Sequence, residues 1–381
     1  MEDLKKRTTS EISPERKEVA SPFFSSDNTS GIHPEIVEAM IRSNSGKATA
    51  YATDRYTSRL KQEYSELFER EVFVFAVPTG TAANGLALGA ITPSHGTILC
   101  HEKAHIVTTE CGAPEFYSGG ARLTLLRGSH NKIDLENLNI ALASIGHRSI
   151  HQLVPSAISL TQATECGVNY SLEEIQNLSD IAHSSGLKVH MDGARFANAM
   201  VSLELTPAEM SWKSGVDILS FGTTKNGSLN AEAVIVFDSE LNREIAFKHK
   251  RAGLLCSKMR FMSAQLLAYI KGDLWLKNAR AANCTAQRLR QALSMVPQVE
   301  FVHPTHINSI FAYLPNRLID FLAQDGIKLR SWPGERDGLY RLIASFDDQE
   351  EQLNLFEASC IKARQGILGN MGRSGTLGGL I

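Results

Sequence analysis

The sequence has few of the features that mark secreted, metal-binding or membrane proteins. Its six cysteines are scattered along 381 residues without a C-x-x-C pair, which excludes a recognisable zinc framework and suits thiols in a reducing compartment. Residues 1–17 lack the apolar core of a signal peptide, and no apolar run approaches the roughly 20 residues that a membrane-spanning helix needs. These absences predict a cytoplasmic protein without a membrane partner.

The chain also lacks an excess of charge of either sign. Its 39 basic and 41 acidic residues give a net charge of −2, so we expect no electrostatic surface for nucleic acid. A few local groups could still hold a small anionic ligand. Apolar residues are abundant instead, at 43% of the chain, which allows a large core divided between two domains.

Apolar runs alternate with amphipathic segments along most of the chain. The apolar runs predict strands at 72–77, 96–100, 122–126, 157–160, 187–191, 217–221, 233–237, 309–314 and 340–345. The amphipathic segments predict helices at 36–43, 58–68, 82–90, 172–184, 194–202, 206–213, 260–280 and 285–295. Strands separated by helices indicate βαβ units, and therefore an α/β fold with a mostly parallel central sheet.

The pattern also predicts where the chain divides. The apolar helix after residue 260 leads into a smaller α+β domain, so we predict a large α/β domain at 21–255 and a C-terminal domain at 256–368. The polar residues 1–20 predict a flexible arm, and residues 369–381 predict a Gly-rich tail.

An aspartate and a lysine each follow a predicted strand. Asp192 ends the run 187–191, and Lys225 lies just beyond the run 217–221. Ligands of open α/β sheets bind at such strand ends. In an enzyme that holds pyridoxal 5'-phosphate, a lysine forms the Schiff base and a carboxylate keeps the ring nitrogen protonated. A helix N-cap is the alternative for Asp192, and a solvated turn is the alternative for Lys225.

A third strand end has the composition of an anion site. The segment Thr79-Gly80-Thr81 follows a strand and begins a helix, so free backbone N–H groups and two hydroxyls could receive a phosphate. The segment lacks the G-K-[ST] ending of a Walker loop. An ordinary βα turn with Thr81 as the N-cap is the alternative.

The segment from His101 to His105 matches H-E-x-x-H, the zinc-binding helix of metalloproteases. A strand runs directly into His101, however, and the β-branched residues after His105 disfavour a helix. We therefore predict no metal and expect His105 in a loop, where its flat ring could stack on a flat cofactor. A zinc hydrolase remains the remote alternative.

Arginines could bind the carboxylate of an amino-acid substrate. Arg341 lies on a predicted strand, and its guanidinium could form two parallel hydrogen bonds with a carboxylate. A surface salt bridge is the alternative. Arg195 could brace Asp192 or the same substrate carboxylate, and Arg330 is a less specific candidate.

Together these residues resemble those of fold-type-I pyridoxal-phosphate enzymes, and more closely the threonine aldolase branch of the β-eliminating lyase family. The resemblance covers residues 24–345, and its order and spacing are specific although each motif alone is weak. The motifs are Ser26-Asp27-Asn28-Thr29, Tyr51-Ala52-Thr53-Asp54, Thr79-Gly80-Thr81, Ala104-His105, Asp192-Gly193-Ala194-Arg195, Thr224-Lys225-Asn226-Gly227 and Arg341-Leu342.

The resemblance implies reversible cleavage of a β-hydroxy-α-amino acid, such as L-threonine, L-allo-threonine or phenylserine, to glycine and an aldehyde. It implies catalytic roles for Lys225 and for His105, which would stack on the cofactor ring. The implied cofactor-binding residues are Thr79, Gly80, Thr81, His105, Asp192, Arg195, Thr224 and Lys225. The implied substrate-binding residues are Ser26, Tyr51, Glu165, Arg195 and Arg341.

One segment departs from the family pattern. Many threonine aldolases carry a second active-site histidine in a Glu-Asn-Thr-His-Asn stretch, whereas the comparable residues 160–167 contain none. That role is vacant or falls to Gln162, Thr164, Glu165 or water, with Glu165 as a candidate for the polar group near the β-hydroxyl. The identity of the catalytic base therefore stays open.

The resemblance also implies a homodimer or homotetramer with the active site at the dimer interface. Arg251, Lys258 and Arg260 could reach a neighbouring subunit's phosphate, or they could form a solvated helix start. Two further alternatives concern function: another pyridoxal-phosphate reaction, such as β-elimination, transamination or racemisation, and a non-catalytic binding protein of the same fold.

Overall fold

The computed structural model describes residues 23–144 and 150–374. The predicted arm at 1–20 and residues 375–381 of the predicted tail lie outside the described residues, whereas residues 369–374 belong to a helix. The strands are β1 (Phe73–Val77), β2 (Gly96–His101), β3 (Arg122–Leu126), β4 (Val154–Thr161), β5 (Lys188–Gly193), β6 (Ile218–Phe221), β7 (Glu232–Val236), β8 (Glu300–Phe301), β9 (Ser309–Tyr313), β10 (Arg330–Ser331) and β11 (Leu339–Ile343). The helices are α1 (Pro34–Ser43), α2 (Arg55–Leu67), α3 (Gly80–Ile91), α4 (His105–Thr108), α5 (Ala113–Ser118), α6 (Leu135–Ser144), α7 (Leu172–Ser184), α8 (Phe196–Leu203), α9 (Asn242–Arg251), α10 (Arg260–Ile270), α11 (Leu274–Ser294), α12 (Asn316–Gln324) and α13 (Glu350–Ser374).

Seven strands form the central sheet in the order β1-β7-β6-β5-β4-β2-β3. Strand β7 runs antiparallel to β1 and β6, and the remaining neighbours pair in parallel. The prediction of a mostly parallel sheet is therefore confirmed. Because the parallel strands all end at one edge, and β7 begins there, the segments after β1, β5 and β6 meet the start of β7 at that edge.

A smaller antiparallel sheet has the order β10-β11-β9-β8. It packs with α11, α12 and α13 around a separate apolar cluster that includes Leu289, Ile310 and Phe356. This arrangement of an antiparallel sheet with helices is the α+β composition that the sequence predicts for the C-terminal part.

The two faces of the central sheet contribute to different apolar layers. Val189 and Leu219 belong to the larger layer, whereas Ile218 and Val234 pack with Leu86 of α3 on the other side. Since side chains alternate along a strand, Asp192 falls on the α3 face. The polar ends of these strands thus face the start of α3 rather than the larger core.

An aromatic cluster fixes the end of β6. The ring of Phe221 lies 5.8 Å from Tyr64, 5.6 Å from Phe196 and 5.6 Å from Trp275, measured between ring centroids. Complete burial of one such ring contributes about 2–3 kcal/mol, so the strand that precedes Lys225 is anchored firmly.

Three helix predictions are wrong in detail. Residues 206–213 form turns because only one helical turn begins at Thr206, after which the Trp212 indole donates to the Phe68 carbonyl and Gly215 adopts a left-handed conformation. The predicted helices 260–280 and 285–295 are divided at another place: Gly272 at φ 60° breaks the hydrogen-bond ladder after α10, and α11 then continues without a break from Leu274 to Ser294. Within the described ranges, no helix is long and apolar enough to cross a bilayer.

Candidate active site

A cavity of about 400 Å³ opens at the carboxyl edge of the central sheet. All of the predicted cofactor and catalytic residues line it, together with Glu165, a predicted substrate residue. They are Thr79, Gly80, Thr81, His105, Asp192, Arg195, Thr224 and Lys225. Five strand ends thus bring together residues that lie far apart in the sequence.

Lys225 lies in a short turn that begins at Gly222, directly after β6. A Cβ at Gly222 would stand 2.6 Å from main-chain atoms of Ala194, so glycine is required where this turn crosses the segment after β5. In the described part of the chain, the Lys225 amine makes neither a hydrogen bond nor an ion pair. Burial and the nearby Arg195 guanidinium lower its pKa, although Asp27 and Asp192 partly oppose this. A lysine with these surroundings is suited to act as a nucleophile.

Asp192 is buried at the end of β5, where both carboxylate oxygens have partners. Oδ1 accepts the Ala194 N–H at 3.0 Å, and Oδ2 accepts the Asn84 side-chain N–H at 2.9 Å. The first contact is of the capping type considered for Asp192, but α8 begins only after Arg195. The carboxylate lines the cavity and retains lone pairs for a cationic ring N–H.

The start of α3 forms one end of the cavity. Thr79 is its N-cap, since its hydroxyl oxygen accepts the Ala82 N–H at 3.1 Å, and the alternative that Thr81 caps this helix is therefore wrong. The N–H groups of Gly80 and Thr81 belong to the first helical turn, where no intrahelical acceptor exists. A phosphate group is a suitable partner for these donors.

His105 begins the short helix α4 at the rim of the cavity, where the sequence predicts a loop, and a buried carboxylate lies behind its ring. Its Nδ1 lies 2.8 Å from Glu110 Oε1, which also accepts the Asn84 side-chain N–H at 2.8 Å. A carboxylate only accepts, so the imidazole proton resides on Nδ1 and Nε2 is free toward the cavity. The hydrogen bond to Glu110 raises the pKa of His105, and burial raises the pKa of Glu110. Through Asn84 the same network reaches Asp192.

Glu165 comes from the segment after β4 and takes part in holding His105. Its Oε1 accepts the His105 backbone N–H at 2.8 Å and the Thr161 hydroxyl at 3.0 Å, whereas Oε2 is buried without a partner. Burial raises the pKa of Glu165 to about 7. Gln162 and Thr164 turn away, since Gln162 bonds the main chain of Tyr170 and Thr164 bonds the His130 carbonyl.

Arg195 and Arg341 form a basic region beside the cavity. Arg195 makes a two-pronged ion pair with Asp27 at 2.7 and 2.9 Å, not with Asp192. Arg341 stacks on Trp332 at 3.9 Å and donates to the Ser25 carbonyl at 3.4 Å, while its buried Nε has no partner. Burial and the repulsion from Arg195 lower the pKa of Arg341 to about 10. Among the described residues no carboxylate pairs with Arg341, so the alternative of a surface salt bridge does not apply.

Three predicted substrate residues do not line the cavity: Arg341, Ser26 and Tyr51. The Ser26 hydroxyl accepts the Asn28 N–H at 3.2 Å, next to the Asp27 carboxylate that Arg195 binds. Tyr51 is half exposed, and the Lys250 ammonium lies 4.5 Å from its ring. Arg330 is exposed on β10.

The basic residues near Tyr51 lie on the same surface. Arg251 and Lys258 are exposed, and Arg260 donates to the Gly46 carbonyl at 3.3 Å. The Tyr51 N–H donates to the Ser257 carbonyl at 3.1 Å, which joins the two segments. Tyr51 and this basic stretch therefore form one surface outside the cavity.

The zinc alternative requires His101 and His105 on one helical face. His101 is instead the last residue of β2, with its imidazole bonded to the Lys103 N–H and the Gly128 carbonyl, whereas His105 begins α4. Across residues 23–144 and 150–374, no three His, Cys, Asp or Glu side chains are grouped to hold a metal ion.

Four buried residues of this region have no assigned role in the sequence interpretation: Asp27, Asn84, Glu110 and Glu232. Asp27 belongs to the motif Ser26-Asp27-Asn28-Thr29, in which the sequence interpretation gives it no role. Asn84 lies four residues after Gly80, so one helical turn places it over the cavity. Glu110 and Glu232 carry no recognisable spacing signal.

Comparisons with known proteins agree with this site. The β-eliminating lyase family matches residues 24–316. A low-specificity L-threonine aldolase of Pseudomonas aeruginosa is 40% identical over 87% of this chain and 94% of its own, and another from a Pseudomonas strain is 38% identical over 87% and 95%. The solved threonine aldolase of Leishmania major superposes with a TM-score of 0.83 at 26% identity, covering 90% of this chain and 99% of that one. The chain therefore belongs to the β-eliminating lyase family, whose members are pyridoxal-phosphate enzymes of fold type I.

Proposed function

We propose that the chain is an aldolase that cleaves L-threonine, L-allo-threonine or a related β-hydroxy-α-amino acid, including phenylserine, to glycine and an aldehyde. The relatives named low-specificity L-threonine aldolases support the reaction. The observation that carries the proposal is a pair of basic side chains near one cavity. Among the described residues, the Lys225 amine makes no hydrogen bond or ion pair, and the buried Nε of Arg341 has no hydrogen-bond partner.

The donor set fits pyridoxal 5'-phosphate. Lys225 supplies the amine that anchors it, Asp192 accepts the ring N–H, and the N–H groups of Gly80 and Thr81 receive the phosphate. Thr224 lines the cavity next to Lys225 and adds a hydroxyl donor near the phosphate end. When bound, the cofactor supplies an electron sink for negative charge at the substrate's Cα.

The basic region binds the substrate carboxylate. Arg341 offers a guanidinium edge without an acidic partner, while Arg195 is oriented by Asp27. Ser26 lies beside Asp27 and adds a hydroxyl at the same end. A two-pronged contact of this kind fixes orientation as well as position.

His105 is the base that removes the β-hydroxyl proton. Glu110 holds its Nδ1–H, which aims Nε2 at the cavity, and Glu165 holds its main-chain N–H. The second histidine found in many threonine aldolases is therefore unnecessary, because the His105–Glu110 pair provides a base whose tautomer is fixed. Glu165 acts through the position of His105 rather than on the hydroxyl directly.

The surface that contains Tyr51, Arg251, Lys258 and Arg260 faces a second copy of the chain. Its exposed aromatic ring and basic side chains would complete the partner's site at the phosphate or substrate end. A homodimer or homotetramer follows from this assignment, and size-exclusion chromatography with light scattering tests it. Cytoplasmic location stays a prediction from the sequence.

The test of the lysine assignment is Lys225→Ala. The wild type should absorb near the visible edge, and borohydride should bleach the band; the variant should lose the band. Lys213→Ala, which removes an exposed lysine paired with Glu69, should retain it. An unchanged band in Lys225→Ala contradicts the assignment.

The reaction is tested with a panel of L- and D-β-hydroxy amino acids. Glycine plus acetaldehyde from L-threonine supports the aldolase, whereas α-ketobutyrate and ammonia indicate β-elimination. Bound cofactor without turnover of threonine or phenylserine indicates a non-catalytic protein.

A further inference from the structure

Glu232 is a buried carboxylate to which the proposed reaction assigns no role. It is the first residue of β7 and pairs with Val77, the last residue of β1. The neighbouring Ala233 pairs with Phe221, the last residue of β6. Glu232 therefore lies between the phosphate-end turn after β1 and the turn that carries Lys225, and it lines the cavity at 6% exposure.

The Glu232 carboxylate accepts hydrogen bonds from the main chain just before Lys225. Oε2 accepts the Thr223 N–H at 2.5 Å, and Oε1 accepts the Thr224 N–H at 3.4 Å. The Thr223 hydroxyl donates to the Ala231 carbonyl, so the start of β7 holds Thr223 by two groups. This clamp determines where the Lys225 side chain leaves the backbone.

Neutral groups already hold the other side of the turn. Asn226 donates to the Tyr269 hydroxyl and the Trp275 carbonyl, both at 2.8 Å, and its own carbonyl accepts from Asn278 at 2.9 Å. A neutral acceptor at position 232 would therefore suffice to fold the turn. A buried carboxylate is unfavourable without a counter-charge.

The counter-charge for Glu232 is the Lys225 amine, which other charged groups also surround. Arg195 and His105 repel the Lys225 ammonium, and Asp27 and Asp192 attract it. Asp27, however, is committed to Arg195, and Asp192 to Asn84 and a main-chain N–H. The charge of Glu232 adds to those of Asp27 and Asp192 in raising the pKa of Lys225, and of these three carboxylates Glu232 is the one that bonds the N–H groups of the lysine's own turn.

The other neighbours of Glu232 do not compete for this role. Burial raises the pKa of Tyr64 on α2 and of Tyr269 on α10, and the charge of Glu232 raises both further. Both phenols therefore stay neutral. Burial also raises the pKa of Glu232, while the threonine contacts and the Lys225 charge oppose that rise.

We infer that Glu232 is a positioning residue that clamps the turn before Lys225 and whose negative charge favours the protonated form of the Lys225 amine. The inference rests on the proposed function for its catalytic meaning. The effect of Glu232 on the proton affinity of the Lys225 amine can be measured without cofactor or substrate.

The test is Glu232→Gln, which keeps the side-chain size and removes the charge. The pH dependence of amine labelling at Lys225, read by peptide mass spectrometry in protein stripped of cofactor, reports the proton affinity of the amine. We expect the midpoint to fall by about one pH unit or more, as loss of a nearby opposite charge requires. In the loaded protein, the pH midpoint of the visible absorbance change should fall in the same direction.

Asp54→Asn is the matched control. Asp54 is also buried and also accepts two backbone N–H groups, from Tyr56 and Thr57, but it does not line the cavity. In Asp54→Asn the pH midpoint of labelling at Lys225 should stay at the wild-type value. Equal shifts in both variants would mean a general effect on the fold and would overturn the inference.

Glu232→Asp keeps the charge and should restore most of the wild-type midpoint. A Glu232→Gln midpoint within about 0.3 pH unit of wild type, or one that rises, refutes the inference. If Glu232→Gln does not fold, Glu232→Met takes its place as a neutral side chain of similar length: the Lys225 midpoint should again fall by about one pH unit, and no fall refutes the inference. Labelling needs no bound cofactor, so its outcome is separate from that of the Lys225→Ala experiment.

Discussion

Replacing Glu110 with glutamine tests whether a buried carboxylate sets the proton affinity of the proposed base. Glutamine keeps the size and an acceptor oxygen for His105 Nδ1, so the 2.8 Å contact loses its charge but not its geometry. A hydrogen bond to a charged group contributes about 1.5–3 kcal/mol, and a neutral one about 0.5–1.5 kcal/mol. The difference of about 1.4 kcal/mol corresponds to about one pKa unit.

The raised pKa of His105 in the wild type decides in which direction the pH profile should move. The hydrogen bond to Glu110 raises the pKa of His105 above its ordinary 6.5, and a base works only when deprotonated. The acid limb of the kcat/KM profile should therefore move about one pH unit toward acid in Glu110→Gln. At alkaline pH the variant should be slower, because a weaker base accepts the hydroxyl proton less readily.

The assay is the initial rate of L-threonine cleavage across a pH series, with acetaldehyde coupled to NADH oxidation. Glu102→Gln, which removes a half-buried carboxylate paired with Arg127, should leave the acid limb in place. His105→Phe should keep the visible absorbance band of the bound cofactor, since a flat ring remains to stack on it. The acid limb of the kcat/KM profile should be lost in this variant. An acid limb that stays fixed or moves toward alkali in Glu110→Gln would refute the pairing of Glu110 with a catalytic His105.

Two further predictions concern the basic region. Arg341→Leu should raise KM about 100-fold, because the substrate carboxylate loses a buried contact. Thermal stability should not fall, because the guanidinium that is removed has a buried Nε without a hydrogen-bond partner among the described residues. A lower melting temperature with unchanged KM would contradict this. Asp27→Asn should destabilise the protein by about 3 kcal/mol at neutral pH, measured by urea unfolding, because Arg195 loses its buried partner. Burial alone would raise the pKa of Asp27, but Arg195 and Lys225 lower it below 3.8, so this stabilisation is present above that pH and should fade as the pH falls further.

The strands could be predicted from the sequence because their signal is local. All nine predicted strands are present, and the shift of any boundary is at most three residues, as at β4 (Val154–Thr161), predicted at 157–160. The same local signal identified Asp192 and Lys225, since a polar residue directly after a buried strand reaches the carboxyl edge of the sheet. The helix at 172–184 was predicted to the residue, because Ser171 and Glu174 form a capping box.

The support of the site could not be predicted because it depends on contacts across the fold. Asn84 and Asp192 are 108 positions apart, and only the packing of α3 on the sheet brings them within 2.9 Å. The role of Glu232 depends on the insertion of β7 between β1 and β6, which no spacing indicates. The sequence left Arg195 with Asp192 or the substrate carboxylate as its partner, whereas in the structure it binds Asp27, 168 positions away.

The charges around the cavity also suggest why a family member without the second histidine keeps the same reaction. On the proposed assignment, Arg341 and Arg195 fix the substrate carboxylate and the cofactor would hold the substrate amine in place of Lys225, so one direction remains for the side chain on Cα. His105 lies at the rim on that side, with Glu110 behind it and Glu165 on its backbone N–H. A single imidazole held through its Nδ1 and its backbone N–H can take the place of two, since placement comes before pKa in the choice of a base. The space left by the missing histidine is then available to the substrate, which predicts tolerance of large β-substituents such as phenyl.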